Sequence, residues 1–235
     1  MKRNWEALVL RAFGGRDFRL TVLDARSVGE HCRRLLVADG GLLAACGVHP
    51  TMWVRLWFED GGKGHQRAYT LVDPDPAAGR FGLEFALHDG RAADWARAAA
   101  PGDTIDATVQ GSAFAWPEPA PGHVYVIGDA ASLPAVNSLL DSLAAAVPAT
   151  VWLEYAHDGE RDLPVRRRAH DAVTWVPRGD GGALAETVRA GLGTGPDAYY
   201  WIAAEAAATR GLARHVRREL GVDRHRLCAL GYWSA

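Results

Sequence analysis

Gln66-Arg67-Ala68-Tyr69-Thr70-Leu71-Val72 is a run rich in β-forming residues, and Asp73-Pro74-Asp75-Pro76 directly after it reads as its stop. The run predicts a strand. Alternation places Arg67 and Tyr69 on one face and Ala68 and Thr70 on the other. A guanidinium and a flat aromatic ring projecting side by side suit a ligand that carries both a phosphate and a planar ring. An ordinary barrel strand with a solvated arginine has the same local pattern, so the sequence on either side has to decide between them.

Around this run the first half of the chain reads as short strands, at 7–13, 18–25, 32–38, 52–58, 66–72, 81–87 and 104–110. Gly14-Gly15, Gly40-Gly41, Asp60-Gly61-Gly62 and Pro101-Gly102-Asp103 supply the turns. Closely spaced strands of this kind predict a closed or nearly closed antiparallel β-barrel over residues 1–116. One helix interrupts them, at 92–100. A linker follows at Trp116-Pro117-Glu118-Pro119-Ala120-Pro121-Gly122, too rich in proline for a strand or helix interior.

Beyond the linker the hydrophobic period changes. Strands are expected at 123–128, 150–155, 172–176, 198–203 and 226–230, and helices at 133–146, 182–190 and 206–220, the first with Pro134 in its opening turn. Alternating strands and helices predict a doubly wound parallel α/β sheet over residues 123–235. The expected fold is thus mixed β and α/β. Ligands of such a pairing are expected where the carboxyl ends of the parallel strands meet the barrel.

The chain has 235 residues, room for one large domain or two small ones, and 49% hydrophobic residues give it ample core. A net charge of −2 argues against nucleic acid as a partner. Cys32, Cys46 and Cys228 show no CxxC spacing and an odd count, which fits a reducing cytoplasm. No apolar run approaches the ~20 residues that span a bilayer, and the start leads into no apolar signal region. A soluble, cytoplasmic protein is expected, of unknown oligomeric state. The nine histidines have neither zincin nor zinc-finger spacing, and no metal site is expected. No Gly-x-Ser-x-Gly elbow occurs. Arg166-Arg167-Arg168 reads as a solvated loop. Arg210, Arg214, Arg217 and Arg218 form a stripe opposite Leu212, Val216 and Leu220, either a solvated face or a patch that attracts an anion.

Seven short signals in order carry a resemblance. They are Arg67-x-Tyr69-Thr70; Phe85-Ala86-Leu87-His88 leading to Trp95-Ala96; Pro101-Gly102-Asp103; Gly128-Asp129-x-x-x-Leu133-Pro134-Ala135; Trp175-x-x-Arg178; Tyr200-Trp201-x-Ala203-x-Glu205; and Gly231-Tyr232-Trp233. Together they resemble the siderophore-interacting protein family, flavoproteins built like ferredoxin–NADP reductases that reduce ferric siderophores. The resemblance implies FAD in the barrel. Tyr69 would lie against the isoalloxazine ring, Arg67 would pair with the pyrophosphate, and Thr70 would bond the flavin edge, by its backbone in preference to its hydroxyl. Ala68 completes that strand motif. Arg91, Ala92 and Ala93 would open a helix whose free N–H groups face the pyrophosphate. His88 would reach the flavin or its ribityl chain, and Trp233 would pack near the cofactor.

The resemblance also implies NAD(P)H on the second domain, at Gly128, Asp129 and Glu205. Here the chain departs from the family: Ala130 and Ala131 stand where Glu and Thr are usual, and Ala204 where Gly is usual. Proline is usual at Arg91, and arginine at Val72 and Ser234. The implied activity is NAD(P)H-dependent reduction of a ferric siderophore through FAD, with no catalytic side chain assigned. A second reading is a family member recruited to secondary-metabolite biosynthesis, with FAD kept for structure or binding and little or no use of NAD(P)H. A third is a siderophore-binding module without flavin, which would need neither Tyr69 nor Arg67.

Overall fold

The computed structural model describes residues 15–60, 63–179 and 182–234; the strand expected at 7–13 lies outside them. The chain divides into two compact units between Phe114 and Ala115. The first contains β1 (Arg16–Ser27), β2 (Cys32–Ala38), α1 (Leu42–Cys46), β3 (Trp53–Asp60), β4 (Lys63–Thr70), β5 (Val72–Asp75), β6 (Arg80–Ala86), α2 (Arg91–Ala98) and β7 (Thr104–Val109). Its strands form one antiparallel sheet in the order β4-β3-β7-β1-β2-β6-β5. The two edge strands, β4 and β5, are joined by Leu71 alone, whose N–H donates to the Met52 carbonyl at 2.8 Å. A single residue can connect opposite edges only if the sheet curls round on itself, so the sheet is an antiparallel half-barrel. Alternate residues of its strands, among them Leu20, Val22, Leu35, Val37, Val54, Leu56, Phe81 and Leu83, fill the interior.

Two local expectations are corrected. Asp73-Pro74 does not stop the strand run; Val72–Asp75 pairs with β6 after a break at Leu71. Proline is tolerated there because β5 is an edge strand whose outer side needs no donor. The short helix α1 was not anticipated either. It is held by the Asp39 carboxylate, which accepts from the N–H groups of Gly41 at 2.9 Å and Leu43 at 2.8 Å. Gly41 takes φ 89°, which favours glycine.

The second unit contains β8 (His123–Asp129), α3 (Leu133–Asp141), β9 (Ala149–Tyr155), β10 (Ala172–Pro177), α4 (Ala183–Gly191), β11 (Ala198–Glu205), α5 (Ala206–Arg218) and β12 (Leu227–Trp233). All five strands are parallel, in the order β10-β9-β8-β11-β12. The order reverses between β8 and β11, which makes that gap the topological switch point. Leu184 and Val188 of α4 and Leu212 and Val216 of α5 pack on Ile127, Trp152 and Ile202. Alternation turns Gly128 to the opposite face, where α3 lies so close that a Cβ would stand 2.5 Å from the Ser132 Oγ and 3.1 Å from Val136. Helix α5 buries Thr209, Leu212 and Val216 and leaves Arg210, Arg214, Arg217 and Arg218 exposed. No helix among the described residues is long and apolar enough to cross a membrane.

The basic run 166–168 is also corrected. Only Arg167 is exposed. Arg166 pairs with Asp141 at 2.5 Å, and its N–H donates to Asn137. Arg168 holds Asp171, whose carboxylate is fully buried, and also donates to the carbonyls of Ala144 and Val147. Those carbonyls follow the end of α3 at Asp141, so the chain there serves Arg168 instead of extending the helix to 146.

Candidate functional site

In the first unit Arg67 and Tyr69 lie opposite Leu56 and Val54 in the β4–β3 register. Directly opposed residues share a face, so both residues project to the side whose floor is core. Tyr69 is half-buried, its ring 4.3 Å from Phe85 and edge-on to Phe58 at 6.3 Å. Burial pushes its phenol well above the ordinary tyrosine value, so it stays neutral. Arg67 is exposed, and its guanidinium donates to the carbonyl of Gln66 at 3.0 Å. On the other face Ala68 is exposed, and Thr70, at the strand's end, is buried.

Helix α2 is tied to the same aromatic group, since Trp95 packs on Phe85 at 5.9 Å and on Phe58 at 5.8 Å. It starts at Arg91 behind Gly90, which takes φ 142° and offers no side-chain cap. Its first turn therefore presents N–H groups that no capping side chain takes up, the usual condition for an anion site. Ala93 is buried, Ala92 half-buried, and Arg91 and His88 exposed. The His88 Nδ1 lies 2.8 Å from the Asp89 carbonyl. A half-buried neutral ring, an exposed guanidinium and an uncapped helix start fit a dinucleotide that brings a flat ring and a pyrophosphate.

In the second unit the carboxyl ends of the strands gather a polar network. Asp129 ends β8 and is 1% exposed. One carboxylate oxygen accepts from the Ser132 N–H at 3.0 Å and the other from the Trp233 indole at 2.6 Å. In the register Asp129 lies beside Glu154 on β9, and Glu205 on β11 lies beside Trp233 on β12. Arg178 links these groups. It pairs with Glu154 at 2.8 Å, and its guanidinium carbon sits 4.7 Å from the Trp233 ring centroid. Burial pushes the Asp129 carboxyl above its ordinary value, against the Trp233 and Ser132 donors and the Arg178 charge.

Trp233 therefore stands with Gly128 and Asp129, the residues assigned to the nicotinamide dinucleotide. The sequence signals assign no site role to Glu154 and Arg178, although both fall at or just after the end of a parallel strand. That is the signal that finds them. Glu205 serves the structure directly, because its carboxylate caps α5, accepting from Ala207 at 2.6 Å and Ala208 at 2.9 Å. Those donors hold it below its ordinary value. Ala204 is wholly buried in the cluster under α5, so its methyl fills core.

Trp233→Phe keeps a ring for Arg178 and removes the donor to Asp129. It should cost about 1.5 kcal/mol where Asp129 is ionised, the low end for a hydrogen bond to a charged group. Losing a donor to the ionised form raises the folded-state pKa further. The cost is therefore full above that pKa and shrinks as pH falls through it. Urea unfolding of both proteins across that range checks the sign.

An antiparallel half-barrel followed by a doubly wound parallel sheet defines a ferredoxin reductase-like architecture. Ferredoxin-NADP+ reductase from Plasmodium falciparum superposes with a TM-score of 0.69 at 11% identity, over 92% of this chain and 96% of that one. A siderophore utilization protein from T. fusca superposes with a TM-score of 0.82 at 21% identity, over 94% and 93%. Residues 8–111 match the siderophore-interacting FAD-binding domain, and residues 121–235 match the siderophore-interacting protein family. The chain belongs to the siderophore-interacting protein family, and its cofactor is FAD. Among curated proteins, the mycobactin import ATP-binding/permease protein IrtA of Mycobacterium tuberculosis is 35% identical over all of this chain. The chain spans 28% of that relative's length.

Proposed function

We propose that the protein is a flavin-dependent reductase that takes electrons from NAD(P)H and delivers them to the iron of a ferric siderophore. The observation that carries this reading is the union, in one chain, of an FAD-binding half-barrel and a parallel sheet whose switch point gathers a buried Asp129, Trp233 and Arg178. The siderophore is supported by the family and by the relatives' names, which concern mycobactin import. Bound FAD supplies the chemistry, accepting two electrons as hydride and releasing them singly to iron(III). The protein binds and orients. On this reading Tyr69 would lie against the flavin ring, and Arg67 and the N–H groups of α2 would hold the pyrophosphate. Thr70 and His88 would border the ring and its ribityl chain, and Gly128 and Asp129 would border the nicotinamide dinucleotide. No residue needs to move a proton. The two domains of the reading correspond to residues 1–116 and 123–235.

A second reading, FAD retained for structure or binding with weak use of NAD(P)H, is favoured by the turn after β8. That turn spends its polar groups on itself: Asp129 and Ser132 exchange hydrogen bonds, and the Ala135 and Val136 N–H groups bond the Ser132 carbonyl. Pro134 has no N–H, and Ala130 and Ala131 have no polar side chain. Two missing hydrogen bonds would weaken the dinucleotide roughly thirtyfold. Anaerobic mixing of the purified protein with NADH or NADPH separates the readings. Bleaching of the flavin spectrum at micromolar donor supports the reductase. A flavin that stays oxidised supports the second reading.

A further inference from the structure

In doubly wound sheets that bind dinucleotides, the pyrophosphate lies at the first strand-to-helix turn and the adenosine ribose meets the carboxyl end of the neighbouring strand. Here that neighbour is β9, which ends in Glu154 and Tyr155 and runs into a 3₁₀ helix at Asp158–Asp162. The Tyr155 ring is half-exposed and meets Trp175 edge-on at 6.4 Å. The Glu160 carboxylate accepts from the Ala156 N–H at 2.7 Å and so folds the turn back against the strand end.

Charge at this corner is unevenly disposed. The end of β9 and the turn after it carry Glu154, Asp158, Glu160 and Asp162 with Arg161, and Arg178 reaches Glu154 from the end of β10. Both guanidiniums already have partners: Arg178 lies between Glu154 and Trp233, and Arg161 lies over Tyr155, 5.5 Å from the ring centroid. A ribose hydroxyl can donate to a carboxylate here, whereas a 2′-phosphate would bring further negative charge.

We propose, on the reading that this crevice takes a nicotinamide dinucleotide, that Glu154 and the carboxylates of the following turn select NADH over NADPH. Glu154 is the acceptor for the free ribose hydroxyl, and Asp158 and Asp162 repel the 2′-phosphate across solvent. The repulsion acts between exposed groups, so salt should weaken it.

Calorimetric titration of the full chain, FAD bound, with 5′-ADP and with 2′,5′-ADP at low salt tests this directly. 5′-ADP should bind at least about tenfold more tightly. The double variant Asp158→Asn/Asp162→Asn, and added salt, should each narrow that ratio severalfold. The proposal is overturned by 2′,5′-ADP binding equally or better (the result if Arg161 leaves Tyr155 for the phosphate). A ratio unmoved in the double variant, or no binding of either nucleotide, overturns it too. Neither fragment can reduce flavin, so this result stands apart from the reductase reading, which fails separately if no nicotinamide bleaches the flavin.

Discussion

Arg67→Ala is expected to weaken FAD binding roughly ten- to a hundredfold, the loss of one charge-assisted contact worth ~1.5–3 kcal/mol. Arg67 is exposed, and among the described residues its guanidinium bonds only the Gln66 carbonyl, so removing it should leave the fold intact. The change in affinity then reports on the cofactor and not on the sheet. Tyr69→Ala is the less clean variant, because Tyr69 also packs on Phe85 and the barrel core. Fluorescence titration of the apoprotein with FAD gives the number directly. Unchanged affinity in Arg67→Ala would remove that side chain from the site.

Arg168→Ala should destabilise the second unit by about 3 kcal/mol, toward the low end for breaking a buried ion pair because the guanidinium is 23% exposed. Burial alone would push the Asp171 carboxyl up. Donation from the Arg168 side chain and from the N–H groups of Arg168 and Ala149 overcomes it and holds the group below its ordinary value. A depressed carboxylate contributes stability that is present above the unfolded-state pKa, about 4, and is lost as pH falls through the folded-state value. The gap between parent and variant should therefore be full near neutrality and close in acid. A gap that widens below pH ~4 would contradict the role given to this pair.

Much of the fold was legible because periodicity is local. The switch from period-two strands to a strand–helix alternation past the linker located the parallel sheet, and most strand limits fell within a few residues. The misses have physical causes. Asp73-Pro74 looks like a terminator by local chemistry, yet a strand at the sheet edge can carry proline, and edge position is a property of the whole sheet. The arginines at 166 and 168 read as solvated because Asp141 and the carbonyls of Ala144 and Val147 come from another segment. The Trp233–Asp129 contact joins residues 104 positions apart, and no window of sequence shows it. The role of Glu205 was legible in principle, since a carboxylate directly before a helix is a capping signal.

The assignment of electron transfer to iron is tested most directly in one anaerobic experiment that leaves the nicotinamide question aside. The flavin of the FAD-loaded protein is reduced photochemically, and a ferric siderophore such as ferric mycobactin is then added in stopped flow. Return of the oxidised flavin spectrum in step with loss of the ferric siderophore band, at two irons per flavin, is the expected result. A flavin that stays reduced while the ferric complex persists would contradict reductase function.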